Sequence, residues 1–183
     1  MGKNIKAVTL LGFALLFTAS LAHAQLGTAN GTTSVSVTVG AEAGLTVVTG
    51  ATTLASVGIN FAPYTGSTSL TYYIRTTKVG GTGTLTLKVT TDFPAASGGP
   101  SVLTPPTGTD TLAYLCTVSA PGTACTGSQT SSTSASTSVG TWTADGHSAF
   151  AGNSASVAWT LTNDPLYKTG SYSATVTFTI SAA

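Results

Sequence analysis

Residues 170–181 read GSYSATVTFTIS, and they decide the fold. Tyr172, Ala174, Val176, Phe178 and Ile180 alternate with Ser173, Thr175, Thr177, Thr179 and Ser181. A period of two places the first set on one face and the second on the other, which predicts a long half-buried strand. The outer face is all hydroxyl and carries no charge.

The same alternation recurs upstream. Residues 33–39 set Val35, Val37 and Val39 against Ser34, Ser36 and Thr38. Residues 84–90 set Leu85, Leu87 and Val89 against Thr86 and Lys88, and residues 156–162 set Val157, Trp159 and Leu161 against Ala158 and Thr160. Residues 70–77 carry Leu70, Tyr72 and Ile74 on one face, with Tyr73 and Arg75 on the other. Weaker strand patterns lie at 45–49, 54–61, 112–118 and 138–142. Gly and Pro clusters punctuate these runs at short intervals, among them Gly80-Gly81, which reads as a hairpin turn, and Pro105-Pro106. Downstream of the N-terminal segment, no stretch sustains a helical period. Many short strands with such turns predict an all-β chain, an antiparallel immunoglobulin-like β-sandwich.

The N-terminal residues 1–24 read differently. Lys3 and Lys6 precede an apolar run of 7–19, and Ala22-His23-Ala24 is a small-x-small cleavage motif. This is the pattern of a secretory signal peptide, too short for the roughly 20 residues of a spanning helix. The expectation is an exported chain beginning at Gln25, secreted or held at the cell surface, with residues 25–183 as one β-sandwich domain and no membrane span.

Charge is scarce, at 6% of the chain against about 25% in an ordinary domain. Beyond the leader, Arg75, Lys78, Lys88 and Lys168 face Glu42, Asp92, Asp110, Asp145 and Asp164. No basic patch is available to neutralise phosphates, so nucleic acid is not an expected partner. Cys116 and Cys125 form an even pair in an exported chain, which predicts a disulfide; two thiols without further ligands make a poor metal site.

Little else points to chemistry. Asp145-Gly146-His147-Ser148 gathers an acid, an imidazole and a hydroxyl, but Asp-Gly is first a turn dipeptide, and triads assemble from distant segments. No catalytic residue, metal or cofactor is assigned, and the chain is read as non-enzymatic. Residues 127–138 (GSQTSSTSASTS) read as a loop of small hydroxylated residues. Asn30-Gly31-Thr32 matches a glycosylation sequon. Tyr72, Trp159 and Tyr172 fall on apolar faces and are assigned to the core, whereas Tyr64, Tyr73 and Tyr167 are the candidate ligand surface.

The two ends suggest assembly. Residues 25–32 lead into the alternating segment 33–39, and a terminal strand apolar on one face must pair within its own domain or with a neighbour. The layout resembles secreted pilin-like β-sandwiches, the spore coat protein U and archaic chaperone–usher group. The resemblance rests on 33–39 followed by 45–49, on Ile59-Asn60-Phe61-Ala62-Pro63-Tyr64, and on the closing run from Lys168 to Thr177 (KTGSYSATVT). The family's cysteine after the first strand is missing here. The resemblance implies a structural subunit of a surface fibre, pilus or coat, with residues 25–39 holding a donor strand centred on Thr33, Val35, Val37 and Val39. Its implied partners are copies of itself or other fibre subunits, with a periplasmic chaperone during export. The competing expectation is a secreted carbohydrate- or surface-binding module.

Overall fold

The computed structural model describes residues 31–94 and 98–183. The predicted leader, 1–24, and Asn30 of the sequon lie outside the described residues. The chain divides into two units, Met1–Val37 and Thr38–Ala183, and the second holds all the strands among the described residues.

That unit is all-β, built of two antiparallel sheets. The first contains β1 (Glu42–Val47), β2 (Ala55–Ser56), β3 (Tyr64–Arg75), β9 (Asn153–Leu161), β5 (Leu112–Val118) and β7 (Gln129–Thr130). Its order is β1-β3-β9-β5-β7, with β2 also pairing with β3. The second has the order β10-β4-β8-β6, from β10 (Thr175–Ala182), β4 (Gly83–Thr91), β8 (Thr137–Trp142) and β6 (Thr123–Ala124). Among the described residues no helix is long and apolar enough to cross a membrane.

Period-two patterning explains the layers. Leu70, Tyr72 and Ile74 of β3, Val157, Trp159 and Leu161 of β9, and Leu85, Leu87 and Val89 of β4 all point inward and are buried. Two aromatic pairs anchor the interior: Tyr72 meets Trp142 edge-on with centroids 4.8 Å apart, and Tyr114 meets Trp159 at 5.6 Å. Tyr114 donates to Thr137 Oγ1 at 2.7 Å and Trp159 Nε1 donates to Thr68 Oγ1 at 2.8 Å, as buried aromatics usually do, whereas the buried Trp142 Nε1 has no partner among the described residues. Burial raises the Tyr114 pKa, against an opposing effect of the Thr137 hydrogen bond.

The second sheet's outer face is a hydroxyl ladder. Thr84 and Ser181 are hydrogen-bonded at 2.9 Å, and Thr90 and Thr177 at 3.0 Å. Such cross-strand pairs stabilise a sheet modestly without charge. Cys116 of β5 and Cys125, just beyond β6, form the predicted disulfide and tie the two sheets together.

Four expectations need correction. Residues 33–39 form no strand; Val35 and Val37 are 93% and 84% exposed, and Val39 is 62% exposed. A period-two pattern yields a strand only where a partner edge is present to pair with. The pattern at 54–61 gives only the two residues of β2, and the final strand starts at Thr175 rather than Gly170. Finally, Gly80-Gly81 does not close a hairpin. It carries the chain from β3 in one sheet to β4 in the other, and a Cβ on Gly81 would lie 2.3 Å from the Thr77 carbonyl oxygen. A tight turn reads alike in sequence whether the strands beside it pair or part.

Candidate functional site

On one flank the two sheets are not hydrogen-bonded to each other, although β1 lies close alongside β10. There β1 and β2 edge the first sheet, while β10 edges the second, pairing only with β4. Between them runs a groove of about 880 Å³. Its floor is apolar, made by Trp159, Leu161, Leu112 and Phe93, and its wall by Val176 and Phe178 of β10.

The state of β10 is the telling detail. Its inward residues Val176, Phe178, Ile180 and Ala182 pack on the core but are only half-buried. Opposite them in register, Leu87 and Leu85 of β4 are fully buried. The difference follows from position: β4 has a strand on each side, and β10 has one. Natural edge strands are usually blunted by lysine, proline, shortness or a bulge. Thr175–Ala182 has no charge and no proline, and its one irregularity falls at its first residue pair.

The groove's lower end is closed by polar turns. Thr107 Oγ1 donates to Asp164, whose other oxygen accepts the Leu166 N–H at 2.7 Å. These bonds, the Thr107 hydroxyl first, hold the Asp164 carboxyl below the usual carboxylate range. Nearby, Tyr167 is pushed well above the ordinary tyrosine value, first by burial and then by the Asp110 charge. Tyr172 caps this region, donating to the Lys168 carbonyl at 2.8 Å with its ring against Gly99. A Cβ on Gly99 would come within 2.1 Å of that ring, so glycine is required by the close approach.

Of the candidate ligand tyrosines, Tyr64 and Tyr167 line the groove. Tyr73 does not join them. It lies nine residues along β3 from Tyr64, hence on the opposite face, and is 39% exposed. Asp145 and His147 line a separate hollow of about 290 Å³ with Arg75 and Lys78. Ser148 Oγ accepts the Ile74 N–H at 3.1 Å, a structural bond. Among the described residues the His147 ring bonds to neither Asp145 nor Ser148. Nor do three or more metal-ligating side chains converge there.

The groove itself was not a sequence expectation. Its only trace was the pairing of a terminal strand, apolar on one face, with an upstream alternating segment. Compared with known proteins, the chain matches no family model, no curated protein and no solved structure.

Proposed function

We propose that this chain is a non-enzymatic structural subunit of an extracellular fibre, pilus or coat, assembled by β-strand addition. One observation carries the reading: an uncharged, unpaired β10 edge beside an open apolar groove. The occupant is residues 33–39 of another copy. Seven residues extend about 23 Å and β10's eight about 26 Å at roughly 3.3 Å per residue, so the lengths match. Main-chain bonds to β10 supply affinity, and Val35, Val37 and Val39 enter the groove. Near-neutral charge limits repulsion between copies. Export through the predicted leader brings the subunit to the cell surface, and an accessory chaperone strand would cover the same edge beforehand.

Deleting residues 25–39 tests this. The shortened chain should remain a folded monomer and form no filaments by electron microscopy; filaments from it would refute the mechanism. The carbohydrate-binding alternative is weaker on this geometry, because Tyr73 is separated from Tyr64 and Tyr167 and the three rings make no common platform.

A further inference from the structure

Exposed apolar side chains collect at the two ends of the sandwich. The lower end, where β3 begins and β9 finishes, presents Val57, Ile59, Phe61, Leu103 and Leu166. The upper end, where β3 finishes and β4 begins, presents Val79 and Phe150, the latter 104% exposed. The faces between are mostly hydroxyl. Scattered exposed apolar residues need no explanation, whereas grouped ones mark interaction surfaces.

Charge follows the same division. Arg75, Lys78, Glu42 and Asp145 lie at the upper end, where the only ion pair among the described residues joins Arg75 to Glu42 at 2.7 Å. Asp92, Asp110, Asp164 and Lys168 lie at the lower end, leaving it net negative. Lys88 alone sits mid-strand. The lower loop is also strained: Asn60 and Phe61 both have φ of 59°, uncommon for non-glycine residues and typical of functional segments. Phe61 lines the groove as well, so this patch is continuous with it.

We infer that the sandwich stacks end to end on a second copy, its lower end against the partner's upper end. The inference rests on the strand-addition reading and adds a second, separate contact. Chain length supports it. Only Gly40 and Ala41 separate Val39 from Glu42 at the upper end of β1, so those two Cα atoms lie within about 11 Å. With Val39 in a neighbour's groove, that neighbour's end abuts the donor's upper end. A lower-on-upper contact joins different patches on each copy and leaves an open series, the symmetry of a filament. Residues 33–39 then run antiparallel to β10. Lys78, outside any ion pair, faces the acidic lower end.

Two measurements separate the contact from the reading it rests on. In the full-length chain, Ile59→Cys and Phe150→Cys variants are mixed and treated with a short bis-maleimide. Both positions are exposed, and the native cysteines are already bonded to each other. A 59–150 heterodimer as the dominant product is expected. Only 59–59 and 150–150 products, or none, overturn the end-to-end contact. In parallel, a synthetic peptide of residues 32–39 is titrated onto the chain lacking 25–39. Binding without a 59–150 product leaves strand addition standing and removes the stacking contact. A 59–150 product without peptide binding keeps the end contact and removes strand addition.

Discussion

Arg75 Nε donates to the Gly40 carbonyl at 2.8 Å, while its Nη2 holds Glu42 Oε2 at 2.7 Å. The guanidinium therefore fixes the point at which the chain leaves β1 toward Val39. Both side chains are substantially exposed, at 45% and 75%, and exposed ion pairs contribute about 0–1 kcal/mol. Arg75→Ala should leave the melting temperature within a few degrees of the parent. Limited proteolysis between residues 38 and 41 should nonetheless be clearly faster. Unchanged cleavage would mean that Arg75 does not anchor the segment.

Asp92 organises the long lower loop through its carboxylate. Its oxygens accept N–H bonds from Phe93, Val102 and Leu103 and the Ser101 hydroxyl, at 2.7–3.1 Å. Burial raises its pKa, but the Val102, Leu103, Ser101 and Phe93 bonds together outweigh it and bring the group below the usual carboxylate value. A depressed native pKa favours the ionised folded form. The stabilisation is present above the unfolded value of about 3.9 and is lost as pH falls through the lower native value. Thermal melts from pH 6 to pH 2 should therefore show a loss that Asp92→Asn reduces. Hydrogen bonds to a charged group are worth about 1.5–3 kcal/mol, so Asp92→Ala should destabilise by an amount of that order at pH 7. A pH profile unaffected by Asp92→Asn would contradict this account.

Leu87 and Phe178 face each other in register, yet only Leu87 is fully buried. Leu87→Ala should cost about 2–5 kcal/mol in chemical denaturation, the range for a buried leucine. Phe178→Ser should cost the isolated subunit less, yet abolish binding of the 32–39 peptide. Equal losses of stability would indicate that the groove is closed in solution.

Replacing both Cys116 and Cys125 with serine should lower stability by about 2–4 kcal/mol, as expected for opening a short cross-linked loop. Assembly, being remote from that bond, should survive at temperatures where the variant is folded. Denaturant titration with filament counts checks both parts.

How far the sequence carries the fold depends on where each strand lies. In β4, β5 and β9, flanked by strands on both sides, the alternation maps onto burial nearly residue by residue. At the edges it misleads. Residues 33–39 alternate as cleanly as any segment and form no strand, because a pattern records which face wants covering and not whether a partner is at hand. Gly80-Gly81 marks the β3–β4 turn correctly but is silent on whether those strands pair. The groove was the least legible feature: Trp159, Leu112 and Phe178 come from three separate segments, and only the sheet order opens a gap between them. Tyr172, which alternation assigns to the core, does pack against it, but only half-buried at the groove's end because it precedes an edge strand.

The account turns on the free edge of β10, and amide hydrogen exchange observes that edge directly. In an antiparallel pair, alternate residues direct their N–H groups away from the partner strand. The β10 amides not bonded to β4 should exchange quickly in the monomer lacking residues 25–39. In full-length assemblies, and in that monomer saturated with the 32–39 peptide, those same amides should become strongly protected while the β4-bonded set changes little. Fast exchange of the outward β10 amides in both assembled and peptide-treated protein would contradict strand addition at this edge.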